Sequence, residues 1–132
     1  MWKAKLVRFL RLLSLWLFWP GVLLIAWGEL TPDPPQLNGL FAWDKAEHFI
    51  AYFGLAGMAS LVIGLRPRLA WAILGVILLG GALEIVQYFA GRDAELMDFV
   101  ANTLGALAGS LIGALSLLLF QGRALVAEPA RD

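Results

Sequence analysis

Long apolar runs alternate with short polar breaks along this chain. The first run covers roughly Leu6 to Gly28, and from Leu12 onward only Ser14 and Pro20 interrupt it. The others extend over Lys45 to Leu65, Leu69 to Phe89 and Asp98 to Phe120. Each comes close to the ~20 residues that a helix needs to cross a bilayer's hydrocarbon core. The pattern predicts four transmembrane helices in a single domain over residues 1–132, an all-α integral membrane four-helix bundle. Pro20 predicts a kink in the first, because proline removes a backbone donor and clashes with the preceding turn. Between the runs, Glu29 to Trp43 reads as a loop, and its Thr31-Pro32-Asp33-Pro34-Pro35 stretch as extended or turn backbone. Arg66-Pro67-Arg68 reads as a tight turn, Ala90 to Met97 as a short connection, and Gln121 to Asp132 as a polar tail.

Composition strengthens this reading. Of the 132 residues 61% are hydrophobic, the mean hydropathy is +0.78, and soluble domains hold only about 45–50% apolar residues. The basic start before the first run resembles a signal peptide. The run is long for one, however, and no small-residue cleavage motif follows it, so the first span is expected to be retained. Ten basic and ten acidic residues balance to zero net charge, which argues against a nucleic-acid partner. Without cysteine, disulfides, thiolate metal sites and a cysteine nucleophile are all excluded.

Orientation follows from the basic residues. Lys3, Lys5, Arg8, Arg11, Arg66, Arg68, Arg123 and Arg131 fall on one side of the four spans, against Lys45 and Arg92 on the other. The positive-inside rule then places both termini in the cytoplasm. Trp27 and Trp43 would lie at the outer interface, with Trp2 and Trp71 at the inner one.

With this topology, polar residues inside the spans gather at one depth below the outer surface. Asp44, His48 and Tyr52 share a helix face by their four-residue spacing, as do Glu84, Gln87 and Tyr88, and Asp98, Asn102 and Gly105. Ionisable groups within apolar helices are costly and usually mark function. Below Asn102, Gly105, Gly109 and Gly113 form a stripe that lets helix backbones approach closely, with Gly54, Gly57, Gly80 and Gly81 offering the same on neighbouring spans. Each feature also has a bland reading. Asp44 and Asp98 suit helix N-caps, Lys45 and Arg92 suit snorkelling anchors, and the glycines suit packing. Glu84 is hardest to dismiss, since a carboxylate in a span needs a partner or a proton. Glu84 and His48 are expected to pair across the second and third spans, with Arg92, Asp98 and Asn102 closing the network.

The residues Asp44-Lys45-x-x-His48-Phe49-x-x-Tyr52, then Glu84-x-x-Gln87, then Gly91-Arg92 followed by Asp98, Asn102 and Gly105, resemble the VanZ-like family of small bacterial membrane proteins. The pattern covers Asp44 to about Gly113. Each motif is weak alone, and their order and spacing together are fairly specific. The family takes its name from a protein linked to low-level resistance to teicoplanin, a lipid-tailed glycopeptide. The resemblance implies a setting in the bacterial cytoplasmic membrane and a link to the cell envelope and antibiotic resistance.

Three function classes fit these residues. In the first, an outward-facing polar pocket binds or processes an amphipathic envelope molecule, such as a lipid-linked precursor or a lipoglycopeptide. Lys45 and Arg92 would hold an anionic headgroup, with Asp44, Tyr52, Gln87 and Asn102 as further ligand contacts. His48 with Glu84 or Asp98 would serve as general acid and base. No Ser-x-x-Lys, His-Glu-x-x-His or Gly-x-Ser-x-Gly motif signals a standard hydrolase. In the second, the protein is a non-catalytic structural or accessory component surrounded by membrane lipids. The third, a small proton-coupled transporter, ranks last, because such sites sit near the midplane. No cofactor and no metal is expected: Asp44, His48, Glu84 and Asp98 make a weak metal signal.

Overall fold

The computed structural model describes residues 2–32, 44–91 and 94–121. They form four helices: α1 (Trp2–Leu30), α2 (Asp44–Ile63), α3 (Arg68–Phe89) and α4 (Leu96–Gln121). All four are long and apolar enough to cross a membrane, and the fold is an integral membrane four-helix bundle. The main departure from the expected boundaries is in α1. It starts at Trp2, stays helical through Pro20, and continues through Glu29 and Leu30, where a loop was expected. Residues 1, 33–43, 92–93 and 122–132 lie outside the described residues. The expectations for Asp33, Trp43, Arg92 and the polar tail fall there.

The helix ends follow local chemistry. Ile63 closes α2, and Gly64 then takes the left-handed conformation (φ 76°) while its N–H bonds the Ser60 carbonyl at 2.9 Å. This is a favoured helix stop, because glycine has no Cβ to strain there. Pro67 directly precedes α3, where its missing N–H costs nothing. Along the helices, hydroxyls fold back onto the preceding turn: Ser60 to the Ala56 carbonyl at 2.9 Å, Ser110 to Leu107 at 2.8 Å, Ser116 to Ile112 at 2.8 Å. Such bonds spare the donors from facing hydrocarbon unpaired.

The closest pair is α2 with α4, although α3 separates them in sequence. Gly105, Gly109 and Gly113 of α4 lie in step against Phe49, Phe53 and Gly57 of α2, so the two helices run parallel. A Cβ at Gly105 or Gly109 would collide with the carbonyl oxygen of Phe49 or Phe53, and one at Gly113 would stand 2.7 Å from the Ser60 Cβ. The expected glycine seam is therefore a backbone-to-backbone contact. Gly57, Gly80 and Gly81 also face neighbouring helices, against Gly109, Tyr52 with Asn102, and Phe99. Gly54 has nothing within 4 Å and takes no part. The core is built from Tyr52, Leu55 and Ala56 of α2, Ile73 and Val76 of α3 and Ala106 of α4, with Phe18, Val22 and Ile25 of α1 packed against it. Large apolar side chains such as Trp16, Leu23, Trp71 and Leu119 stand exposed. That exposure would be a liability in water and is ordinary against lipid.

Arg11 Nη2 bonds the Val62 carbonyl at 2.9 Å, setting the start of α1 beside the end of α2. Lys3, Lys5, Arg8, Arg11, Arg66 and Arg68 thus collect at one end of the bundle. Glu29, Asp44, Glu47, Glu84, Glu95 and Asp98 collect at the other.

Candidate functional site

At the acidic end, all four helices contribute buried polar side chains. Glu29, His48, Glu84, Gln87, Asp98 and Asn102 are each at most 8% exposed, and Asn102 is fully enclosed. Removing a polar group from water without a hydrogen bond costs about 1–3 kcal/mol by mutational measures, and more for an ion, so their partners matter.

Glu29 organises the cluster. Its Oε1 lies 3.4 Å from His48 Nδ1, and its Oε2 accepts a long 3.4 Å bond from the Tyr52 hydroxyl. Its backbone carbonyl accepts from Gln87 Nε2 at 2.9 Å. One residue of α1 thereby joins α2 and α3. Sequence reasoning placed Glu29 in a loop and missed it. A signal was present: Phe18, Val22, Ile25 and Glu29 continue a single inward stripe at helical spacing, whose first three members pack on the core.

The two ring nitrogens of His48 differ in their surroundings. Nδ1 lies 3.1 Å from Asn102 Oδ1, which makes Nδ1–H the donor there, and Nε2 is 3.9 Å from Asp44 Oδ1. Asn102 and Glu29 therefore orient the ring from behind and leave Nε2 directed towards Asp44. Expected pairing of His48 with Glu84 gives way to pairing with Glu29 and Asn102, because α1 stays helical past Gly28 and carries its own carboxylate to the imidazole. Both Glu84 carboxylate oxygens are buried without a hydrogen-bond partner among the described residues.

Lys45 bridges two carboxylates, Glu95 Oε2 at 2.7 Å and Asp98 Oδ1 at 3.0 Å. Its hydrogen bond holds the exposed Glu95 carboxyl below the ordinary glutamate range. Asp98 is buried in the first turn of α4, where the helix dipole also favours a negative charge. The ammonium expected to hold an anionic headgroup is thus already engaged by two anions.

The remaining expected contacts divide. Tyr52 and Gln87 belong to the buried network. Asp44 stands at its exposed rim, and Arg92 lies outside the described residues. Tyr88, expected on the face of Glu84, is 72% exposed and turned outward.

Ligand atoms of Asp44, His48 and Asp98 lie within 4.8 Å of one another, a compact set. With Lys45 Nζ 3.0 Å from Asp98, an ammonium already supplies positive charge to one of the three. Chemically, the arrangement suits proton transfer at His48 Nε2 with a carboxylate supporting Nδ1. It also suits binding of hydrogen-bond donors by a surplus of carboxylates.

Fold and site together define a class: a four-span membrane protein with an acidic, buried polar cluster at one end. Searches against protein families, curated proteins and solved structures return no match to the chain.

Proposed function

We propose that this is a VanZ-like protein of the bacterial cytoplasmic membrane, with both termini in the cytoplasm, whose polar end faces outward and binds or processes an amphipathic cell-envelope molecule. Lipid-linked precursors and lipid-tailed glycopeptides are the leading ligands, and protection against the latter is the corresponding phenotype. The motif order from Asp44 to Gly113 supports the family, and the segregation of basic residues to the opposite end supports the orientation. One observation carries the functional reading: side chains of α1, α2 and α4 converge on His48, leaving Nε2 as the ring nitrogen with no acceptor in hydrogen-bonding range among the described residues. In this reading His48 exchanges a proton at Nε2, and Glu29 and Asn102 orient it. Asp44 and Asp98 flank the reacting or bound group. A ligand held by its polar head at this end would keep its tail in the adjoining leaflet.

A structural or accessory role is the second reading. The bonds from Gln87 to Glu29 and from Lys45 to Glu95 and Asp98 favour it, since they tie helices together. His48→Gln separates the two. With purified protein melting near the parent temperature and expression matched in cells, loss of protection against a lipid-tailed glycopeptide supports the ligand site. Full protection by the folded variant refutes it. A large drop in melting temperature supports the structural role.

A further inference from the structure

Beside the cluster, α3 and α4 part to form a cavity of about 530 Å³, within the size range of small-molecule sites. Ile85, Tyr88, Phe89, Leu96 and Phe99 supply its apolar walls. Tyr88, Phe89 and Leu96 are among the most exposed side chains of the protein, so the cavity opens sideways, towards the lipid. Tyr88 and Phe89 hold each other edge to face at 5.5 Å. Among the described residues, Glu84 and Glu95 are the charged ones lining it. Glu95 is engaged by Lys45. Glu84 is 7% exposed, and neither of its oxygens makes a well-formed side-chain hydrogen bond among the described residues, the backbone N–H of Glu95 alone lying on its side.

A buried carboxylate short of donors, set just behind an apolar and aromatic wall open to hydrocarbon, is complementary to one kind of occupant. We infer that this groove is a lateral binding site for a lipid whose head carries a primary ammonium group, with Glu84 accepting its N–H donors. This rests on the reading of the chain as a binder of amphipathic envelope molecules, and it adds the head chemistry and the route. The N–H groups satisfy Glu84, the positive charge offsets the acidic surplus of this end, and the acyl chain lies along Phe89 and Leu96. Aromatic faces at the mouth add cation–π attraction for the same head. An anionic head finds no described cation in the lining.

Phosphatidylethanolamine and phosphatidylcholine of matched chains test this, because both heads are zwitterionic and only the first has N–H donors. Purified protein in a mild detergent receives equal amounts of each, and native mass spectrometry counts retained lipid. A charge-assisted hydrogen bond predicts a preference for phosphatidylethanolamine of about tenfold in the parent. In Glu84→Leu the ratio should fall to about one, the charge-assisted bond having been removed. Tyr88→Ala, on the exposed wall, should lower retention of both lipids and keep their ratio. A parent ratio near one overturns the inference, whatever the His48 variants do in cells, since those report on the end cluster alone. An unchanged ratio in folded Glu84→Leu also overturns it. Should that variant not fold, Tyr88→Ala retaining both lipids at parental levels is decisive against the groove.

Discussion

Gly109→Ala adds one methyl group where two helix backbones touch. Its Cβ would strike the Phe53 carbonyl oxygen and lie 2.7 Å from the Phe53 carbonyl carbon and 2.8 Å from Phe53 Cα. Carbon atoms pack best at about 3.5–4.0 Å, so α2 and α4 must separate by roughly 1 Å at this crossing. No side chain can rotate away, because the obstructing atoms are backbone. A radial gap of 0.5–1 Å forfeits about a quarter to a half of the dispersion energy of each affected contact, and Gly105 and Gly113 share the seam. Overpacking typically costs about 1–3 kcal/mol, and a backbone obstacle puts Gly109→Ala at about 3 kcal/mol, the upper end of that range. Gly54→Ala is the internal control, since nothing lies within 4 Å of the added carbon. Its effect should stay within about 0.5 kcal/mol, as for other changes away from special features. Reversible unfolding in detergent micelles, followed by circular dichroism, measures both. Gly109→Ala as stable as the parent, or Gly54→Ala equally damaging, would refute the α2–α4 contact as the main joint of the bundle. Gly109→Leu should prevent folding altogether.

Further expectations concern the acidic end and the topology. Glu29→Leu removes the acceptor for Tyr52 and the carboxylate beside His48, so it should cost about 1–3 kcal/mol for the buried groups left unpaired; an unchanged melting temperature would remove Glu29 from the centre of the network. Lys45→Met leaves the buried Asp98 without its cation and should destabilise more than Glu95→Gln, whose side chain is exposed; the reverse order in melting temperature contradicts this. Because the folded-state pKa of Glu95 is lowered, its pairing with Lys45 is fully stabilising above the ordinary glutamate range and is lost as pH falls through the depressed value. The melting difference between parent and Glu95→Gln should therefore be present at neutral pH and vanish in strong acid; a difference that persists there would show that the pair is not the cause. Reporter fusions after Gln36 and Asp93 should read as external and one after Arg68 as internal; an external reading at Arg68 overturns the proposed orientation.

The amino-acid sequence by itself determined the four helices, their membrane-spanning character and most of their ends, because these depend on local apolar length and on breakers such as Gly64 and Pro67. It also located the end of the bundle where the polar residues meet, since four-residue spacing assigns Asp44, His48 and Tyr52, or Asp98, Asn102 and Gly105, to one helix face. Glycine spacing marked α4 as a close-packing helix. Only the tertiary structure named its partner as α2, parallel and non-adjacent in sequence, because periodicity describes a face and is silent about what meets it. For the same reason the pairings were beyond reach. His48 meets Glu29 and not Glu84, because α1 stays helical through Glu29 and Leu30, past the end of its apolar run. Lys45 is neutralised by Glu95 and Asp98 through a contact fifty residues distant in the chain. Glu84 is left facing the α3–α4 groove for a reason that no local pattern carries: which buried group keeps a partner depends on the mutual rotation of packed helices.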